Sequence, residues 1–219
     1  MFITVINDCK DPNAMARQST RLASFFNAPI TTVGLSSYNE LEAAGDLVDV
    51  LDASAGKRGI ILVNVAPRHG KGKKWPNGTP FAYFHYKQTL VISTIDGYTL
   101  SLVKKLGLTN QINLLDLPTV IDFMVQNDYL EPELREHIVN TQFRSYEFTP
   151  RVAKWLSEGI LVPSEDYPLT NIEDVPHVIT LVDNFGNCAT SILPEEIGHQ
   201  PSKELETKLG KITCYARLK

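Results

Sequence analysis

The run Arg58-Gly-Ile-Ile-Leu-Val-Asn-Val-Ala66 constrains the fold more than any other stretch of this chain. A strand with one face in water alternates apolar and polar residues, whereas one this continuously apolar must be covered on both faces. It therefore belongs inside a sheet with helices packed above and below. The flanking sequence supplies both kinds of element. FITVIN (2–7) and ITTVGL (30–35) are β-rich. Between them Asp11-Pro12 is a helix-start signal, with Ala14, Ala16, Leu22, Ala23 and Phe26 on the apolar side of the helix that follows. From about Tyr38 to Leu51 a second helix puts Leu41, Ala44, Leu47, Val48 and Leu51 on one stripe. PFAYFHY (80–86) and TLVISTI (89–95) read as strands, Thr99 to Lys105 as a helix, and 118–159 carries helical pattern. Strands alternating with helices predict an α/β domain with a largely parallel sheet.

The 219 residues, 43% hydrophobic, are enough for such a domain with a small appendage. Around VPSEDYPLTNIEDVP (162–176) prolines and acidic residues replace periodicity, which predicts a linker. The expected organisation is an α/β domain over 1–162, a linker over 163–176 and a small, shortened β domain over 177–219, built from HVITLVD, CATSIL and KITCYARL. A net charge of −4 offers nothing to a nucleic-acid partner. No apolar stretch approaches the roughly 20 residues that cross a bilayer. MFITVIND enters its strand without a basic leader, and Cys9, Cys188 and Cys214 lack CxxC spacing. The expectation is a cytoplasmic protein with reduced thiols and no metal site.

Ligands of open α/β sheets gather at the carboxyl ends of the strands. The first strand delivers INDCKDPN, with Asp8, Asp11 and Asn13 close together. A carboxylate there suits a ribose diol; equally, Asp11 caps the helix and Asp8 closes a turn. The RGIILVNVA strand delivers PRHGKGKKW, where His69, Lys71, Lys73 and Lys74 sit among glycines. The spacing is not that of a phosphate-binding GxxxxGK[ST] loop, and a solvated basic loop accounts for it as well. STIDGYTLS carries Asp96-Gly97 at a turn opening a helix. His85 lies inside an aromatic strand and is read as packed; His137, His177 and His199 carry no assignment. The acidic residues between Asp122 and Glu136 are read as a solvated helix face. Farther on, VDNFGNCATS breaks a strand with Asp183, Asn184, Phe185, Gly186 and Asn187. It is either a hairpin corner with Phe185 in the core or a binding turn presenting a carboxylate, a carboxamide and an aromatic face together.

Taken in order, these strand ends resemble the S-adenosylmethionine hydroxide adenosyltransferases, the family that includes the fluorinases and chlorinases. NDCKDPNAMA is similar to a shortened TDFGxxDxYVG, VNVAPRHG to VVDPGVG, STIDGYTLS to PDNGLLT, and VDNFGNCATSI to DRFGNxxTNI. The last keeps Asp183, Phe185, Gly186, Asn187 and Thr190. The resemblance runs from about residue 2 to residue 192. It implies an α/β domain followed by a small β domain, in a homotrimer with adenosine between subunits. It implies that Asp8 holds the ribose hydroxyls and that Asp11 or Asn13 lies near the methionine amino group. It further implies that Asp96 belongs to the substrate site, that Asp183 holds the amino acid portion, and that Phe185 and Asn187 line the adenine side. S-adenosylmethionine would be the substrate, with no further cofactor.

Hydroxide-transferring members surround the attacking water with an Asp, an Arg and a His. At the Asp position this chain has Ala66. TQFRSYEFTP, matched to TFHGRD, puts Phe143 at the His and Tyr146 at the acidic residue. The Arg position falls near Lys73, and His69 stands where halogenating members carry a small hydroxyl residue. Two expectations follow. In the first the chain is an enzyme that displaces methionine from the adenosyl 5′ carbon with water or halide, using His69 as base and Lys73 or Arg144 to orient. In the second it is a non-catalytic binder of S-adenosylmethionine or adenosine. A weaker reading has HGKGKK bind a phosphorylated nucleotide.

Overall fold

The structure is a computed structural model that describes residues 1–65, 78–208 and 210–215. It divides into two compact units, 1–175 and 176–219. In the first, strands β1 (Phe2–Asn7), β2 (Ile30–Gly34), β3 (Gly59–Asn64), β4 (Phe81–Tyr86), β5 (Thr89–Thr94), β6 (Gln111–Leu115) and β7 (Glu165–Pro168) form one seven-stranded sheet in the order β2-β1-β3-β5-β4-β6-β7. β2, β1, β3 and β5 pair parallel; β4 runs against β5, β6 against β4, and β7 against β6. Five of the seven strands thus point the same way, and the expected α/β class with a largely parallel sheet is found.

β3 and β5 sit at the centre because every residue but the last of β3 and all of β5 are buried. Successive side chains of a strand point to opposite faces. Ile60 and Leu62 pack with Ile3, Val5, Leu90 and Ile92 on one side of the sheet. Ile61 and Val63 pack with Ile6 and Val91 on the other. The first face is covered by helices α1 (Pro12–Phe25), α4 (Leu117–Gln126), α5 (Leu134–Asn140) and α7 (Thr149–Ser157), through Leu22, Val120, Ile121, Ile138 and Val152. The second is covered by α2 (Glu40–Ala53) and α3 (Ser101–Lys105), through Ala43, Leu47, Leu51 and Val103. The helical pattern at 118–159 resolves into α4, α5, α7 and the single turn α6 (Arg144–Glu147).

The segment expected as a linker over 163–176 is not one. Residues 165–168 add the edge strand β7, and Val162, Leu169, Ile172 and Val175 are buried in the first unit. An edge strand tolerates Pro168 because one side of its backbone has no partner strand, and Glu165 and Asp166 are the charges that keep such an edge from pairing further. The boundary falls between Val175 and Pro176. In the second unit β8 (Ile179–Val182) pairs with β9 (Cys188–Thr190), and β10 (Glu204–Thr207) with β11 (Gly210–Thr213), all antiparallel. The acidic strand β10, reading ELET with Leu205 as its single apolar residue, is not apparent from the sequence.

Candidate functional site

β1 and β3 end side by side on Asn7 and Asn64, which face each other in register. Asn7 is fully buried and uses its whole amide: Oδ1 accepts from Asn64 Nδ2 (2.8 Å) and from the Cys9 N–H (3.1 Å), while Nδ2 donates to Gln18 Oε1 (2.7 Å) and to the Cys9 carbonyl (3.3 Å). Gln18, buried on α1, passes the chain of bonds on through Nε2 to the Ser145 carbonyl of α6 (3.3 Å). These two carboxamides tie both strand ends, α1 and α6 together, and buried polar groups that are fully satisfied make a rigid frame. Sequence reasoning passed over both. The signal was present for Asn7, a carboxamide closing a strand that is apolar but for Thr4.

Against this frame lies a cavity of about 240 Å³, walled by Asn7, Cys9, Asp11, Asn13, Ala14, Arg17, Gln18, Phe143, Ser145 and Tyr146. Two of the residues expected at the site, Asp11 and Asn13, are therefore brought together with Phe143 and Tyr146, the residues at the family's His and acidic positions. Asp11 is the N-cap of α1: its Oδ1 accepts the Ala14 N–H at 3.0 Å, with Pro12 in the first turn. Arg17 lies across the aromatic wall, its Cζ 4.3 Å from the Tyr146 ring centre and 5.1 Å from that of Phe143. Its Nη2 donates to the Tyr146 hydroxyl. Phe143 remains 58% exposed, so its ring faces the opening rather than the core.

Asp8 and Asp96 stand at the ends of β1 and β5, either side of β3, and neither belongs to that cavity wall. Asp8 is buried, and its Oδ2 accepts the Tyr38 N–H at 3.3 Å. Asp96 takes its N–H to Thr79 Oγ1 (3.2 Å). Its Oδ2 is buried with no hydrogen-bond partner among the described residues. Burial, and secondarily the charge of Asp96, raises the Tyr167 phenol above its ordinary range. Gly97, at φ +62°, has no room for a side chain: a Cβ would fall 1.6 Å from Glu40 Oε2, the atom that accepts the Tyr98 N–H at 2.7 Å.

Of the three residues expected to carry catalysis, His69 and Lys73 lie outside the described residues. Arg144 is turned away from the cavity. Its Nη1 donates to the Thr79 carbonyl at 2.8 Å, its Cζ sits 5.4 Å from the Phe81 ring centre, and burial lowers its pKa. The adjacent Glu147, which sequence reasoning did not single out, is a buried hub. It is held by Arg151 Nη1 (2.6 Å) and Arg21 Nη2 (3.1 Å), with His137 Nε2 at 3.5 Å. Burial pushes its carboxyl up, but hydrogen bonds from Arg151 and Tyr146 and the two guanidinium charges outweigh this and hold it below its ordinary value.

In the second unit the turn between β8 and β9 is organised by Asp183. Its Oδ1 accepts the N–H groups of Phe185 and Asn187, each at 2.8 Å, and its Oδ2 accepts Asn187 Nδ2 at 2.8 Å. The amide hydrogen bonds from Asn187 hold this carboxyl below its ordinary range. Gly186 adopts φ +88°, which the turn requires. Phe185 is 83% exposed. The hairpin corner is there, but its aromatic ring is not in the core, because the Asp183 bonds fix a turn that projects the ring outward.

No protein-family model and no curated protein matches the chain. Among solved structures, an uncharacterized conserved protein from Thermotoga maritima aligns with a TM-score of 0.62 at 14% identity, covering 93% of this chain and 76% of that one. A conserved hypothetical protein from Thermus thermophilus aligns with a TM-score of 0.61 at 14% identity, covering 99% of this chain and 83% of that one. At this identity the likeness is one of fold. Among the described residues no helix is long and apolar enough to cross a membrane.

Proposed function

We propose that this chain binds S-adenosylmethionine and displaces methionine from the adenosyl 5′ carbon, with water as the nucleophile. The observation that carries this reading is the cavity at the end of β1. It joins Asp11 and Asn13 of the first family-like motif to Phe143, Ser145 and Tyr146 of a motif far away in sequence. The methionine portion would enter there, next to Asp8, whose carboxylate would accept from the ribose hydroxyls. The preorganised Asp183–Asn187 turn, with Phe185 exposed, would offer a flat aromatic face to adenine. In a homotrimer that face would come from a neighbouring subunit. In the reaction the water oxygen forms a bond to C5′ as the C5′–S bond breaks. The electron pair leaves with sulfur as a neutral thioether, and the water loses a proton. The sulfonium needs no protonation to leave, so the work of the protein is alignment and exclusion of bulk water. His69 would take the proton.

One feature of the cavity favours a second reading, binding without chemistry. Phe143, at the position where the family carries a proton-handling His, has no proton to give or accept. The same experiment decides: incubate the chain with S-adenosylmethionine, with and without chloride, and identify the products by mass. Adenosine with methionine supports the hydrolase, 5′-chloroadenosine the halide variant, and ligand recovered intact after measurable binding the non-catalytic reading. Absence of binding would overturn all three.

A further inference from the structure

The two edges of the seven-stranded sheet are unlike. At one, β7 carries Pro168, Glu165 and Asp166, residues that stop an edge from pairing further. At the other, β2 reads ITTVG: four β-branched residues in a row, with no proline and no charge. Thr31 and Thr32 point to opposite faces of the sheet, yet both are exposed, so neither helical layer reaches over this edge. The bonds to β1 fix which backbone groups are left over. The Ile3 N–H donates to the Pro29 carbonyl at 3.1 Å, and the Leu35 N–H to the Asn7 carbonyl at 2.9 Å. In a parallel ladder this parity turns residues 29, 31, 33 and 35 toward β1. The N–H and C=O groups of Ile30, Thr32 and Gly34 therefore point away from the sheet, and none of them meets a partner among the described residues.

That row is complementary to itself. A two-fold axis normal to the sheet beside Thr32 sets β2 antiparallel to its own copy, with Thr32 opposite Thr32 and Ile30 opposite Gly34. Each of these is a hydrogen-bonded pair of an antiparallel ladder, in which the two residues exchange both N–H···O bonds. Between them Thr31 stands opposite Val33, a β-branched pair of the kind that holds adjacent strands together. The strand is uncharged, so two copies meet without repulsion. We propose that β2 pairs with β2 of a second copy of this chain in this register, joining two seven-stranded sheets into one through an isologous contact. β2 contributes no residue to the cavity wall, so the proposal stands apart from the S-adenosylmethionine reading.

The test is the particle mass of the purified full chain by light scattering, together with hydrogen exchange of the β2 amides. Wild type should form particles with an even number of chains, and exchange at Ile30, Thr32 and Gly34 should slow as the concentration is raised. Thr32→Pro removes an outward-facing donor and leaves the ladder to β1 in place, so the particle mass should halve with the fold kept. Thr32→Lys and Thr32→Glu should each halve it as well, because the two-fold sets like charges directly opposite each other. Mixing these two variants sets opposite charges there and should restore the full mass. A lone chain at every concentration, or a particle with an odd number of chains, would overturn the proposal, as would an unchanged mass in all three variants. Protection of the three amides in a lone chain would overturn it too, and would assign the edge to another segment of this chain.

Discussion

Arg144 Nη1 donates to the carbonyl of Thr79 at 2.8 Å, and the hydroxyl of the same threonine accepts the N–H of Asp96 at 3.2 Å. A residue expected from the sequence to orient a nucleophile thus fastens the backbone at 78–79 to the end of β5. Gly78, at φ +78°, lies under the guanidinium: a Cβ there would be 2.7 Å from Arg144 Nη2. Arg144→Met keeps the length of the stem but strands the Thr79 carbonyl and removes the cation from over Phe81. The expected cost is about 2 kcal/mol of unfolding free energy, from a lost hydrogen bond of a charged donor and a partly desolvated cation–π contact. Urea unfolding measures it; a variant as stable as wild type would mean that Arg144 holds nothing together and is free for a purely functional role.

Glu147 should be the more sensitive position. Replacing it with Gln leaves Arg151 and Arg21 facing a neutral group in a buried place, and breaking one side of a buried ion network costs about 3 kcal/mol. Its folded-state pKa lies below the unfolded one, so the unfolded chain binds the proton more readily. The stabilisation is full above the ordinary glutamate pKa and is lost as pH falls through the depressed folded value. Urea midpoints of wild type and Glu147→Gln should therefore differ at pH 7 and converge as the pH is lowered below 4. A gap that stayed constant with pH would show that the carboxylate charge is not what stabilises.

Asp46 on α2 behaves in the opposite sense. Burial first, then the charges of Glu42 and Asp49, raise its pKa from 3.8 to about 6. Here the folded chain holds the proton more tightly, so ionisation works against folding, and stability rises as pH falls from above 6 toward the unfolded value. Asp46→Asn should raise the urea midpoint at pH 8 and make no difference near pH 4. If the two proteins were equally stable at pH 8, the like-charge crowding on that helix would be harmless.

The central sheet was legible because β3 and β5 are buried on both faces, and an apolar run so short and unbroken fits best between two layers of helices. The start of α1 was legible because Asp11-Pro12 is a local signal whose chemistry is complete within four residues. β6 and β7 were not: Gln111, Asn113, Glu165 and Asp166 lie at the sheet margin, where one face is wet and the apolar pattern breaks. The prolines and acids that read as a linker are what an edge strand carries. The residues that meet at the cavity were legible in the same uneven way. Asp11 and Asn13 announce themselves by their position after a strand. Arg17 over Tyr146, and Gln18 on the Ser145 carbonyl, are contacts between distant segments that no local pattern encodes.

Phe185 offers the sharpest separation of stability from function. With the ring 83% exposed, Phe185→Ala removes almost no buried apolar surface and should leave the melting temperature within about 1 °C. The Asp183 hydrogen bonds that shape the turn run to the backbone of 185 and to Asn187, so the turn itself should survive. If the exposed ring is the face offered to adenine, affinity for S-adenosylmethionine should fall roughly tenfold, the worth of one base–aromatic stack. Asp183→Ala makes the complementary prediction. It deprives the Phe185 and Asn187 amides of their acceptor, so their hydrogen exchange should accelerate and binding should fall with the ring still present. Phe185→Ala binding as tightly as wild type while Asp183→Ala fails would assign the turn to the ligand's polar end. Loss of stability in Phe185→Ala without loss of binding would mean that the ring packs against protein in solution, and the adenine role would be gone.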